Sequence, residues 1–250
     1  MKTNKTKNNQ LDMFEYFANI SEMEISPTEK AGRYKSLENK ENNIFKDIEI
    51  KLELKSKKNI LDIGCGCGVL ANEISIFANK HNINLTFNDS SKIINQLKEN
   101  ISNTSNIDFI EGRFPDIRMN KNIVFDAIIL YSVIHYIRKD KIFVFIDSIL
   151  SKLDSKGAIL IGDIPNLNKK NRFNNSGFGK NFNLEWNKAQ NNCFIKGNYP
   201  TLDLDHFNDD LILEIVKYAR SKDNLNAYIL PQSSDLPFGY IREDILITKT

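Results

Sequence analysis

The stretch Asn59-Ile60-Leu61-Asp62-Ile63-Gly64-Cys65-Gly66-Cys67-Gly68 constrains this chain more than any other. A short apolar run, the mark of a buried strand, ends in three glycines spaced two apart, and helix-spaced residues follow over 69–79. Glycines at 64 and 66 permit positive φ and let a ligand lie against bare backbone. The helix behind them starts with unpaired N–H groups and the positive end of its dipole. Open α/β sheets bind nucleotide-like ligands at such strand–turn–helix junctions, beyond the carboxyl ends of the strands.

The flanking pattern agrees. Residues 85–88, 107–110, 123–130 and 158–161 read as strands, and 91–100 and 139–153 as helices. That alternation predicts a parallel sheet covered on both faces, and continuous apolar runs bury the strands on both sides. Upstream, residues 11–20 carry apolar side chains at helical spacing, Ser26-Pro27 opens a second helix, and a third spans about 41–54. Residues 1–54 are thus expected to be a tail and helical cap, and 55–250 the ligand-binding domain. Within the latter, 164–205 is polar, rich in Asn and Gly, and dotted with Phe173, Phe178, Phe182, Trp186, Phe194 and Tyr199. It reads as a lid-like insertion, since long connections in compact domains often cover a site. A helix over 207–221, opened by Asp209-Asp210, and strands near 227–230 and 244–248 predict a terminal hairpin on the sheet.

The octet LDIGCGCG, residues 61–68, resembles motif I of the class I S-adenosylmethionine (SAM)-dependent methyltransferases, and the family's order continues in register over roughly residues 55–165. The resemblance implies a Rossmann-like α/β fold: a mostly parallel seven-stranded sheet with an antiparallel terminal hairpin. It implies SAM as cofactor, held by Asp62, Gly64, Cys65, Gly66 and Gly68 of the loop. Asp89, with Ser90 beside it in LTFNDSS, ends the second strand, where the family's acid takes the ribose hydroxyls. A carboxylate can accept both hydrogen bonds of a diol. Gly112, Arg113 and Phe114 follow the third strand, near the family's adenine site; Arg113 departs from the acid that many members carry there. Tyr131, at the exit of the fourth strand, lines the pocket. The competing dinucleotide fingerprint needs a third glycine at position 69, which is Val69. Asp62 beside the loop would also repel a pyrophosphate, whereas it suits a ligand carrying an amino group and a sulfonium.

Methyl transfer is an in-line displacement, so alignment carries much of the catalysis, roughly 7–11 kcal/mol. A hydroxyl acceptor must also lose a proton, for which a positioned base contributes about 10²–10⁴-fold. The candidates are His135, five residues beyond the fourth strand, whose ordinary pKa suits a base, and Asp163, directly after the fifth. Tyr131 and Ser132 are pocket wall or reactant. Arg33, in the cap, is a candidate partner for the SAM carboxylate. The proline-rich motif of amino-methylating DNA enzymes is missing where the chain reads Leu130-Tyr131-Ser132-Val133, and no Pro-Cys nucleophile stands nearby. The formal charge of +2 gives no pull toward nucleic acid. Locally, six basic residues (Lys169, Lys170, Arg172, Lys180, Lys188, Lys196) face two acids (Asp163, Glu185). Aromatic and basic residues together suit an anionic or sugar-bearing acceptor. The leading expectation is O-methylation of a small molecule or a sugar or glycan precursor. An RNA or protein methyltransferase and a non-catalytic SAM-binding module are the alternatives. The three cysteines form no zinc framework, no metal is expected, and no apolar run approaches a membrane span, so the expected address is the cytoplasm.

Overall fold

A computed structural model describes residues 12–101, 105–117, 119–120, 122–190 and 207–250, the side chains of 189–190 excepted. Seven strands form one sheet: β1 (Asn59–Ile63), β2 (Asn84–Asp89), β3 (Ile107–Glu111), β4 (Phe125–Tyr131), β5 (Leu153–Pro165), β6 (Leu225–Pro231) and β7 (Arg242–Lys249). Their order is β3-β2-β1-β4-β5-β7-β6. The first five are parallel, and β7 and β6 add the antiparallel edge expected from the terminal pattern.

Alternate residues of the central strands feed two cores. Ile60, Ala127, Ile129 and Leu160 pack on one face with Ile44 and Ile48 of α3 (Glu38–Leu52) and Ile74 of α4 (Val69–His81). Leu61, Ile63, Ile128, Leu130 and Ile161 pack on the other with Ile146 of α6 (Ile142–Leu150) and Ile215 of α9 (Asp209–Arg220). Each such side chain contributes about 1.5–3 kcal/mol by leaving water. Double-sided burial explains why the strands read as apolar runs.

Upstream lie α1 (Met13–Ser21), α2 (Pro27–Lys30) and α3. A capping box opens α2, in which Ser26 and Glu29 satisfy each other's backbone N–H. Helix α5 (Ser91–Asn100) follows β2.

One expectation changes. The described part of 164–205 is not an open connection but two helices, α7 (Leu167–Asn175) and α8 (Gly177–Gln190). Asn166 caps α7 through the Lys169 N–H, and the Ser176 hydroxyl accepts from Gly179 N–H at the start of α8. Phe178, Phe182 and Trp186 recur every four residues, so they form one stripe along α8. Asn richness hides that period. Phe194, Lys196, Tyr199 and His206 lie outside the described residues. No helix among the described residues is long and apolar enough to cross a membrane.

Candidate active site

A cavity of about 190 Å³ opens at the carboxyl ends of β1, β2 and β4. Its floor is the glycine turn. Gly64 (φ 68°) and Gly66 (φ 63°) both adopt the left-handed conformation. A Cβ at Gly64 would meet Val133 Cγ2 at 2.6 Å, so only glycine fits there. At Gly66 it would meet nothing within 4 Å, which leaves that backbone bare to the cavity. The Gly64 N–H donates to Asn88 O at 2.8 Å, tying the turn to β2. No side chain caps the first turn of α4.

Asp89 stands opposite. Its Oδ2 accepts from Gly66 N–H at 3.0 Å and its Oδ1 from Ser90 N–H at 2.7 Å. Burial pushes its carboxyl up to about 6, against the pull of these two bonds. Asp62 is pushed further, to about 8, by burial and then by the charge of Asp89. Its Oδ2 is buried without a hydrogen-bond partner.

Of the loop residues expected from sequence, Gly64, Cys65, Gly66 and Gly68 line the cavity, as do Asp89, Arg113, Phe114 and Tyr131. Asp62, Ser90 and Gly112 stand behind the wall. Ser90 caps α5, and the Gly112 N–H donates to Asp89 O at 2.8 Å, so both brace Asp89 rather than face the space. Helix α1 supplies a wall that sequence reasoning missed, through Met13, Phe14 and Phe17. Asp12, its N-cap, hydrogen-bonds Arg113, whose guanidinium lies 4.7 Å from the Phe14 ring centroid. The helical period of α1 was legible, but nothing in it says which neighbour its apolar face meets. Lys30 and Tyr136 also line the cavity.

The far end is polar. Ser132 (φ 60°) lines the cavity and donates from Oγ to Asp163 Oδ2 at 2.6 Å. Arg33 donates to the same Oγ at 3.1 Å and to Glu41 Oε1 at 3.0 Å. Asp163 (φ 59°) sits behind Ser132 rather than on the wall. His135 is likewise off the wall, buried in the turn after β4. Burial, then the charges of Arg242 and Arg33, hold its pKa well below the usual histidine value, so it is neutral at physiological pH. Its Nδ1 has no hydrogen-bond partner. The Tyr131 phenol is held far above its usual pKa by burial and by Asp163 and Asp244, so it stays protonated.

The strand order and the loop geometry now meet the sequence comparison: residues 60–157 match the family model described as "Methyltransferase domain". Over that stretch the chain carries a methyltransferase domain, on a fold of the class I, Rossmann-like type. The resemblance read from residues 61–68 and the Rossmann-like sheet expected from it are both borne out. No curated protein matches this sequence. Among solved structures, the domain is similar to the plantazolicin methyltransferase BpumL in complex with a triazolic desmethylPZN analog and SAH (12% identity, 95% of this chain and 99% of that one, TM-score 0.59). It is also similar to the N-methyltransferase NodS from Bradyrhizobium japonicum WM9 in complex with S-adenosyl-L-homocysteine (13%, 96% and 99%, 0.57). A third is the methyltransferase domain of bacterial CtHen1-C (16%, 84% and 98%, 0.58). At these identities the likeness concerns the fold.

The residues present fit the family's cofactor. Gly66 leaves backbone open, Asp89 has lone pairs to spare beyond its two backbone bonds, and the unpartnered Asp62 oxygen puts negative potential under the loop. Lys30 and Arg33 place positive charge at the other end.

Proposed function

We propose that this protein transfers a methyl group from SAM to a hydroxyl of a small-molecule or sugar-type acceptor. In this reading Asp89 takes the ribose, the backbone of 64–68 cradles the cofactor, Arg113 and Phe114 flank the base, and Lys30 with Arg33 faces the carboxylate. Helices α1 to α3 act as a cap, and α7 and α8 as a lid. When bound, SAM supplies an electrophilic methyl on a sulfonium.

The observation that carries the choice of oxygen is the hydrogen-bonded pair Ser132–Asp163, Oγ to Oδ2 at 2.6 Å, with Ser132 on the cavity wall and Asp163 behind it. An acceptor hydroxyl that donates to Ser132 Oγ has a proton path. Its proton passes to Oγ as the serine proton moves to Asp163 Oδ2. The acceptor oxygen loses a proton and gains the methyl carbon; Asp163 ends protonated. Arg33, fixed by Glu41, holds Oγ in place throughout. His135, neutral and off the wall, serves as a positioning residue in this scheme rather than as the base.

The test is transfer of labelled methyl from SAM into fractionated cell extract, with Asp89→Ala as the control. Label in the small-molecule or glycan fraction that the variant loses supports the reading. Label in RNA or protein, or SAM binding with no transfer anywhere, would falsify it.

A further inference from the structure

Six non-glycine residues among those described have positive φ. Glu53 and Asn82 end helices, and Asn224 sits in the turn before β6. The other three are Ser132 (60°), just past β4, Asp163 (59°), at the irregularity of β5 between Ile161 and Ile164, and Phe238 (60°), in the turn that Gly239 N–H closes on Leu236 O. They gather around one side chain, that of Arg242. Asp163 is bonded to Ser132 at 2.6 Å, the Arg242 Nε lies 3.8 Å from Asp163 Oδ1, and the Arg242 guanidinium carbon lies 5.5 Å from the Phe238 ring centroid. Non-glycine backbone in this conformation is strained, and such residues cluster at active sites, ligand clamps and switches.

The polar atoms here are also unsatisfied. Arg242 Nε and Nη1, Asp163 Oδ1, Gln232 Oε1 and His135 Nδ1 are buried without a hydrogen bond. Neighbouring cations already meet carboxylates of the protein: Arg33 that of Glu41, and Lys51 those of Asp47 and Asp244. Lys169, the nearest lysine of α7, spends its ammonium on the Arg242 carbonyl at 2.6 Å. Arg242 thus meets one carboxylate, Asp163, at 3.8 Å, too far for a hydrogen bond, so its Nε and Nη1 donors stay idle.

We infer that Arg242 is the anion seat of the methyl acceptor, and that the acceptor bears a carboxylate. One guanidinium neutralises one negative charge, and its planar fork matches a carboxylate. A diphosphate would need more free cations than the described residues place in this corner. Phe238 backs the guanidinium, and the rings of Tyr34 and Trp186 extend from it at centroid separations of 6.2 and 5.8 Å. They give the acceptor's body an aromatic shelf. The Arg242 side chain keeps 15% of its surface exposed, and through that edge an acceptor carboxylate reaches the guanidinium. The inference rests on the methyltransferase reading for the word acceptor, but the binding it describes can be measured without turnover.

Trp186 is the chain's single tryptophan, so intrinsic fluorescence reports on this corner. The full-length protein, saturated with S-adenosylhomocysteine, is titrated with benzoate, with benzamide as the neutral probe of the same shape. The expected result is a saturating change with benzoate, at least tenfold weaker with benzamide. Arg242→Gln should weaken benzoate at least tenfold and leave affinity for S-adenosylhomocysteine within twofold, while Arg242→Lys retains part of the benzoate response. Equal responses to the two probes, or wild-type benzoate affinity in Arg242→Gln, would overturn the inference. Should Arg242→Gln not fold, the two probes on the wild-type protein decide. A protein that binds benzoate but not S-adenosylhomocysteine refutes the methyltransferase reading and leaves the carboxylate seat standing.

Discussion

The two ends of the cavity are built in opposite ways. At the cofactor end, the contacts are made by backbone and close in sequence: Gly66 to Asp89, Gly64 to Asn88, Gly112 to Asp89. None spans more than about 25 residues, and glycine conformation sets the shape. At the polar end, side chains from five segments meet. Arg33 reaches Ser132 across 99 positions, Lys51 reaches Asp244 across 193, and Asp163 N–H reaches Asp244 across 81. A local motif tolerates little drift, because its geometry is the backbone's own. An assembled network depends on every element that delivers a member, so it can vary with the acceptor while the cofactor end stays fixed.

Separate knockouts give the largest test of that division. Asp89→Ala should weaken SAM binding by about 10–100-fold, through loss of charge-assisted hydrogen bonds, and turnover with it. Asp163→Asn should leave SAM affinity within threefold yet lower kcat by about 10²–10⁴-fold, the range of a positioned base. Calorimetry and single-turnover transfer separate the two. If Asp163→Asn lost SAM binding as well, the two ends would be one unit and the comparison would fail.

Next comes stability. Lys51 Nζ lies 2.6 Å from Asp244 Oδ2, and Asp244 is fully buried. Lys51→Met strands that carboxylate with only Gln232 and the Asp163 N–H, at a cost of about 3–5 kcal/mol. For a chain of this size each kcal/mol lowers Tm by about 2–4 °C. The charge is the cause, so the loss should shrink as the pH falls and Asp244 becomes protonated. A thermal scan from pH 8 to pH 5 showing a constant loss would point to packing instead.

These residues also mark what was readable in advance. The mostly parallel sheet, the terminal hairpin and the glycine loop follow from short-range patterns: apolar runs, glycine spacing, an acid at a strand end. The order of the strands does not. Ser132 was nameable because it follows β4 directly, and Asp163 because it ends an apolar run, although β5 itself continues past it to Pro165. Arg242 was not, because nothing near it in sequence signals that Ser132, Asp163 and Phe238 converge on it. The stripe on α8 was missed for a different reason: asparagine-rich sequence resembles loop until its aromatics are seen to repeat every four residues.

Proton linkage gives a smaller effect at the cofactor end. Asp62 and Asp89 are raised to about 8 and about 6, mainly by burial, from an ordinary value near about 4. Raised carboxyls bind more protons in the folded state than in the unfolded one, so the ligand-free domain loses stability as pH rises from about 4 through about 8. A cation above the loop favours the ionised forms. SAM binding at pH 7 should therefore release a fraction of a proton, seen as heats that differ between buffers of different ionisation enthalpy. In Asp62→Asn most of that difference should vanish. Buffer-independent heats in the wild type would mean that Asp62 does not sense the cofactor, and that its place in the loop is structural.

The smallest effect belongs to a long-range ion pair at the cofactor end. Arg113 and Asp12 close α1 over the cavity, 101 positions apart, with Phe14 stacked beneath the guanidinium. Both charged side chains are close to half exposed, so solvent screens the pair and its own contribution is about 0–1 kcal/mol. Arg113→Gln should change stability by no more than that. Its effect on SAM should fall on dissociation rather than association, because the helix must be held down only after the cofactor is in. A two- to fivefold faster dissociation in stopped flow, restored by Arg113→Lys and damped by high salt, would make α1 a side-chain-held exception to the backbone logic of this end. An unchanged rate would leave α1 held by its apolar face alone, through Phe17 against Tyr136 at 5.2 Å, and the local character of the cofactor end would then be complete.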